Sequence, residues 1–298
     1  MDHHLLFIAI GGIILGFSAG ILTGFFGAGG GFILTPALNI FLGIPMNIAV
    51  GTSACQVLGT SSFSLWHHMD HRWLGVRVAL WMGSGIPLGV WFGSSLVQRL
   101  KALAPIMVHG KPVPTVDFVL LVVFAVFLSL VTTWLFLDNF VLRRGREDEG
   151  TQPKGLLAGV RIPPLVDFRT IPHGPFSGPL LMVLGLVVGC LSGLMGIGGG
   201  VVMMPMLFYL VGQEIKAATR TSSMLVFMTG LCSTIVHARA GNINWTLVAC
   251  LISGAFFGTH LGAWLQHRTT GKRLRQYFAF VVLTAALMVG GRLLLFYR

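Results

Sequence analysis

Two glycine clusters hold the groups in this chain best suited to chemistry. Gly27, Gly29, Gly30 and Gly31 form the first, and Gly196, Gly198, Gly199 and Gly200 the second. A glycine turn that opens a helix leaves backbone N–H groups unpaired, at the positive end of a dipole equivalent to about half a charge, and admits an anion without Cβ interference. An apolar segment follows each cluster, so Gly29–Phe32 and Gly198–Val201 are candidate helix N-termini. If the two ends faced one space they would hold a small anion. The fuller phosphate signatures are incomplete: there is no GxxxxGK[ST], and Gly27–Phe32 does not complete GxGxxG. The competing reading of dense glycine is close helix packing.

Polar side chains downstream extend the candidate site. Thr52, Ser53 and Gln56 lie within about one helical turn of one another, as do Thr221, Ser222 and Ser223, so each set shares a face. Hydroxyls and an amide donate to oxyanions, although Ser and Thr also bond back to their own helix. Arg220 stands one turn into an apolar segment, where inserting an arginine costs about 2.5–3.5 kcal/mol. Two roles fit it: lining an anion path, or reaching out to the membrane face. His68 and His237 are candidates to carry a coupling proton, with helix capping as the alternative. The spans contain almost no acidic residues, Asp117, Asp138 and Glu214 all being at segment ends, which argues against a cation pathway and against a membrane metallohydrolase. No GxSxG elbow is present, and neither a metal nor a cofactor is expected. The cysteines Cys55, Cys190, Cys232 and Cys250 sit in apolar segments without a CxxC and read as packing residues.

The two clusters belong to a duplication. GFSAGILTGFFGAGGGFILTP (Gly16–Pro36) returns 169 positions later as GLVVGCLSGLMGIGGGVVMMP (Gly185–Pro205), without a gap. The register holds for Thr52-Ser53 against Thr221-Ser222, for His68 against His237, and for Gly85, Gly89 and Gly93 against Gly254, Gly258 and Gly262. Self-similarity at a fixed period marks a repeated unit, and a glycine-broken duplication in an apolar chain is a transporter sign, with the site between the halves.

Composition supplies the setting. Of 298 residues, 54% are hydrophobic and only 10% charged, and mean hydropathy is +0.83. Leu5–Trp66 and Gly174–Gln213 contain no charge. A spanning helix needs about 20 apolar residues, so these runs are several membrane segments in series. The first run has no preceding lysine or arginine and continues into the repeat, unlike a cleaved signal peptide. Expected segments are Leu5–Phe26, Phe32–Leu42, Ile48–Trp66, Val76–Leu96 and Phe118–Leu137, then Leu180–Met195, Val201–Val211, Ala217–Val236, Trp245–Leu265 and Tyr277–Leu295. The short segments cover about 16 Å, half the hydrocarbon thickness, and read as half-length helices returning from a glycine turn. The polar, proline-rich stretch from Arg143 to Pro175 is a solvated linker. The reading is thus an all-α integral membrane protein of two five-segment inverted repeats, 1–142 and 175–298, each with a short broken or re-entrant helix after a Gly-rich turn, joined by a linker over 143–174.

Charge orients it. If each short helix returns the chain to its starting side, 14 of the 20 lysines and arginines share the linker side and 6 the other; with parallel halves the split is 11 to 9. The positive-inside rule favours the first, with a cytoplasmic linker and both termini outside. The formal charge of +11 then sits mostly beside anionic lipid, and forms no nucleic-acid-binding module.

GFFGAGGGFILTPAL, with downstream Gly43-Ile44-Pro45 and Gly51-Thr52-Ser53, and its second copy GLMGIGGGVVMMPML resemble the paired signature of the sulfite exporter TauE/SafE family over nearly the whole chain. The resemblance implies a cell-membrane carrier that exports sulfite, sulfonates or other small organosulfur anions, coupled to the proton gradient. Uptake of the same anions, a channel, or a membrane-embedded enzyme are the alternatives. Self-association is left open.

Overall fold

The computed structural model describes residues 2–27, 29–68, 75–108, 111–137, 155–168, 170–171, 174–269 and 271–296. All ten expected segments are helices. The first half comprises α1 (Asp2–Phe26), α2 (Gly31–Leu42), α3 (Met46–His68), α4 (Val76–Lys101) and α5 (Thr115–Phe136). The second comprises α6 (Gly178–Met195), α7 (Gly200–Pro205), a π-helical continuation (Met206–Val211), α8 (Ile215–Arg239), α9 (Trp245–His267) and α10 (Gly271–Phe296). The only strands among the described residues pair as two short hairpins: β1 (Ile106–Val108) with β2 (Lys111–Val113), and β3 (Leu165–Val166) with β4 (Phe176–Ser177). The chain is an all-α membrane protein.

Seven helices are long and apolar enough to cross a bilayer, and the shorter apolar helices span Gly31–Leu42 and Gly200–Val211, the same interval in each repeat. Both short helices end on a left-handed glycine, Gly43 (φ 65°) and Gly212 (φ 82°). Although α3 has 23 residues, it is not among the seven. Its buried side carries Thr52, Ser53, Gln56, Thr60, Ser61 and Ser64, which lowers its hydropathy and suits it to a central place among other helices.

Glycine spacing builds the frame. Gly16, Gly20 and Gly24 of α1 lie against the backbone carbonyls of Leu251, Ala255 and Thr259 on α9, and Gly254, Gly258 and Gly262 of α9 lie against those of Ile13, Phe17 and Ile21. The numbers rise together, so α1 and α9 run parallel. The same ladder joins α4 to α6: Gly85, Gly89 and Gly93 face Met182, Leu186 and Cys190, while Gly185, Gly189 and Gly193 face Met82, Ile86 and Val90. Adding the repeat offset to the α1 positions and subtracting it from the α9 positions reproduces the second ladder. A Cβ at any of these glycines would collide with the facing carbonyl oxygen.

Other contacts set the remaining directions. Gly30 abuts Ala19 and Gly11 abuts Leu42, so α2 folds back along α1. Thr52 reaches Asn244, Gly59 meets Ile252 and Phe63 meets Phe256, so α3 runs with α9. Gly230 touches Leu58 and Gly51 touches His237, so α8 opposes α3. Gly75 beside Thr221 and Gly83 beside Met228 align α4 with α8. The matched helices α1 and α6, α3 and α8, and α4 and α9 therefore point in opposite directions.

The halves differ where the linker docks. In the second, the short helix widens to π geometry after Pro205, and the linker docks on it. The amides of Leu156 and Leu157 donate to the carbonyls of Tyr209 and Leu210 (3.0 and 3.1 Å), and Gln213 Nε2 donates to Thr170 (3.0 Å). Phe168, Ile171 and Phe176 are buried in the cluster that includes Leu207 and Val211.

The ladders are directly testable. Gly258→Ala should destabilise the detergent-solubilised protein by about 1–3 kcal/mol, since the added methyl overpacks a backbone contact. Gly290→Ala, where a Cβ meets nothing within 4 Å, should be neutral or stabilising by up to about 1 kcal/mol. Thermal unfolding of the two variants checks the contrast.

Candidate functional site

The backbone of both glycine clusters takes conformations that L side chains rarely adopt. Gly27 (φ 64°), Gly29 (φ 62°), Gly196 (φ 68°), Gly198 (φ 69°) and Gly199 (φ 74°) are all left-handed. At the α2 start the match is imperfect, because Gly30 has φ −68° where its counterpart Gly199 is left-handed.

The two turns meet in the buried centre. Gly31 packs on the carbonyl of Gly196 and on Ile197, and Gly29 and Gly198 both pack against Val57 and Val226, one valine from each half. The starts of the two short helices thus lie near one another, with two valines beside the junction rather than an open cleft. A small apolar pocket of about 20 Å³ lies elsewhere, lined by Leu135, Phe278, Ala218 and Met204, Pro205, Phe208 and Tyr209 of the second short helix.

Hydroxyls fasten the turns by their carbonyls. Ser53 donates to Gly196 O (2.8 Å) and shares a hydrogen bond with Thr35 (2.5 Å). Its counterpart Ser222 donates to Gly27 O (3.2 Å), and Thr229 donates to Gly198 O (2.6 Å). Thr23 accepts from the Gly30 amide (2.8 Å). The first capping bonds inside each helix run from Ile33 and Leu34 to Gly30 O, and from Val202 and Met203 to Gly199 O. None of the hydrogen bonds among the described residues uses the amides of Gly31, Phe32, Gly200 or Val201. Among the described residues these four donors find no acceptor, and all four residues are buried. This division of labour, side chains on the carbonyls and free amides at the junction, suits an anion.

The other candidate residues separate. Thr52 accepts from the amide of Asn244 (3.1 Å) at the start of α9, whereas Thr221 donates to Ala217 O on its own helix (3.0 Å) and lies beside Gly75 at the start of α4. Gln56 is fully buried, with neither its amide oxygen nor its nitrogen hydrogen-bonded. Arg220 is partly buried and makes no hydrogen bond or ion pair with another described residue; Ser222, two positions on, touches the first turn. His237 is fully buried with Nε2 3.0 Å from Gly193 O. The side chain of His68 lies outside the described residues. No group of three His, Cys, Asp or Glu able to hold a metal occurs among the described residues.

Sequence reasoning missed Thr23, Thr35 and Thr229. Its overlooked signal was periodic: Ser53, Thr60, Ser64 and His68 recur as Ser222, Thr229, Ser233 and His237, a polar row on one face of α3 and of α8.

A buried, duplicated, glycine-broken helix pair in a polytopic frame fits a membrane transporter, and the family and the relatives' names make it one rather than an enzyme. The chain belongs to the sulfite exporter TauE/SafE family, whose model matches residues 12–289. It is 23% identical over 279 residues to the "Probable membrane transporter protein YunE" of Bacillus subtilis, covering 91% of this chain and 93% of that one. It is 26% identical over 305 residues to a "Probable membrane transporter protein" of Xylella fastidiosa, covering 97% and 96% respectively. No solved structure matches.

The fastening bonds should be unequal. Ser53→Ala removes bonds of 2.8 and 2.5 Å from a buried site and should cost about 1–3 kcal/mol, whereas Ser222→Ala removes a single 3.2 Å bond and should cost about 1 kcal/mol or less. Chemical unfolding in detergent ranks the two; equal losses would contradict the geometry.

Proposed function

We propose that this transporter exports a small organosulfur or sulfite-type anion across the cytoplasmic membrane, coupled to protons. The observation that carries the reading is the meeting of two helix N-termini whose first amides, at Gly31, Phe32, Gly200 and Val201, find no acceptor among the described residues. The apolar runs that hold them, Leu5–Trp66 and Gly174–Gln213, contain no carboxylate to repel an anion. The family's name supplies the anion class.

The opposed directions of matched helices support an inverted repeat with its site at the interface, the halves being 1–142 and 175–298 and the linker 143–174. In this reading Gly27, Gly29, Gly30 and Gly31 with Gly196, Gly198, Gly199 and Gly200 seat the anion. Ser53 and Ser222 hold the turns, Gln56 supplies an unspent amide, and Thr52 and Thr221 act indirectly through the starts of α9 and α4. Val57 and Val226 are the closure that must part as access alternates. Arg220 collects the anion on the linker side, and His68 and His237 carry the proton.

Valine substitutions at Gly30 or Gly199 are poor probes, because a Cβ at Gly30 would stand 2.5 Å from Ala19 O and one at Gly199 would collide with Val188. Arg220 is the better handle. Lysine keeps the charge but lacks the planar fork that matches two oxygens. In proteoliposomes with labelled sulfite, thiosulfate, sulfoacetate or taurine, Arg220→Lys should weaken transport about ten- to a hundred-fold, and Arg220→Ala further, at unchanged expression. Wild-type flux in the lysine variant would reduce Arg220 to a membrane-face anchor, and chemical alteration of the anion, without flux, would overturn transport.

Orientation follows the 14-to-6 charge split. With Cys55, Cys190, Cys232 and Cys250 replaced, an impermeant thiol reagent on intact cells should label Asp2→Cys and spare Gln152→Cys. The reverse pattern would place the linker outside.

A further inference from the structure

A second group of polar residues lies at the end of the bundle away from the linker, where α4 and α8 finish and α3 and α9 begin. Lys101, the last residue of α4, is exposed, and its ammonium donates to Asn242 Oδ1 at 3.3 Å. Asn47, in the first turn of α3, donates to the same oxygen at 3.1 Å. Lysine can only donate, so the amide oxygen of Asn242 must face it, and the Asn242 nitrogen points elsewhere. That nitrogen is buried and has no hydrogen-bond partner, in a residue only 1% exposed. The backbone amide of Asn242 bonds to His237 O (3.0 Å), and the two residues flank Gly51 together.

His237 completes the set. Its Nε2 lies 3.0 Å from the carbonyl of Gly193, which can only accept, so Nε2 carries the ring proton. Nδ1 of the neutral ring is then an acceptor. It too is buried without a partner, in a residue with 0% exposure. One turn further in, Ser233 Oγ is likewise unpartnered. Other charged residues on this side of the bundle are Arg99, in the last turn of α4 with Lys101, Lys111 of β2, Arg239, exposed two positions beyond His237, Arg292 toward the end of α10, and Asp117 of α5, whose carboxylate accepts from the amide of Met46 (2.8 Å).

An unpaired amide donor, an unpaired imidazole acceptor and a cation at the rim ask for one ligand. It must be anionic, offer an acceptor oxygen to Asn242 and offer an O–H to Nδ1 of His237. A monoprotonated small oxyanion, with hydrogensulfite as the simplest case, meets all three. A fully deprotonated oxyanion would fit only if the proton sat on Nδ1 instead. Either way one proton lies between the anion and His237. We infer that Asn47, Lys101, His237 and Asn242 form a second anion subsite, at the mouth opposite Arg220, that takes the oxyanion together with one proton. The inference rests on the anion-transport reading and adds to it where the anion waits and how the proton accompanies it. The depth of Asn242 and His237 favours a small free oxyanion over the phosphate of a lipid headgroup.

Calorimetric titration of the purified full-length protein with sulfite tests this, in detergent and in nanodiscs containing phosphatidylglycerol. Lys101→Gln and Asn242→Asp should each weaken binding about tenfold, and Lys101→Arg should restore it. His237→Gln retains an amide that can donate to Gly193 but has no counterpart of Nδ1. Above the pH at which free sulfite loses its second proton, wild type should take up about one proton per anion, read from buffers of different ionisation enthalpy, and His237→Gln should take up less. Wild-type affinity in both Lys101→Gln and Asn242→Asp, or equal proton uptake in His237→Gln, would overturn the subsite while leaving transport intact. Affinity that falls as phosphatidylglycerol rises would assign the site to lipid and overturn it too. Binding that depends on these residues in a protein that moves no labelled anion would keep the subsite and sink the transport reading.

Discussion

Everything in this molecule hangs on glycine Cα atoms laid against carbonyl oxygens of a parallel neighbour. In a bilayer, apolar side chains gain little by leaving lipid tails for one another, so helices associate through close backbone packing. Twelve glycines in two ladders provide it. Each Cα–H···O contact contributes about 0.5–1 kcal/mol, so only a repeated series has weight. Because the ladders join the first helix of each half to the fourth helix of the other, neither half completes its own packing. The duplication is therefore interlocked rather than a pair of adjacent domains.

That interlocking frees α3 and α8 for a different task. They lie among other helices and carry hydroxyls where a lipid-facing helix could not. Many of these bond back to their own turns, as Thr60, Ser61 and Ser223 do. Those that instead reach across, Ser53, Ser222 and Thr229, end on carbonyls of the glycine turns. Irregular backbone within an apolar protein persists only when its polar groups are met internally. Here several carbonyls are met and, among the described residues, several amides are not. The same contacts that make the turns foldable leave their positive ends unspent.

The symmetry is close but broken where the linker docks. The Leu156 and Leu157 amides bond to the π-helical segment after Pro205, and Phe168 and Ile171 pack beside it. The first short helix keeps α geometry through its matching Pro36. Two copies of one motif have thus diverged in mechanics while keeping length, start and terminating glycine.

Much of this was legible in the residues alone. The ten segments, the short helices and their glycine ends follow from hydropathy, length and the repeat offset, because those properties are local or periodic. The roles of individual polar residues were not. Thr52 and Ser53 are adjacent in sequence, yet one helical step of about 100° sends Thr52 to the start of α9 and Ser53 to a glycine turn. Asn242 and Lys101 drew no notice, since 141 positions separate them and neither belongs to a motif. By itself the sequence determined a duplicated, apolar, glycine-broken chain, since spacing and composition decide what can enter a bilayer and where a helix must break. Only the tertiary structure decided which glycines pack and which line the junction, and which buried amides and imidazoles stay unpaired. Those outcomes depend on which helix comes to lie against which, and that is set by contacts between residues far apart in the chain.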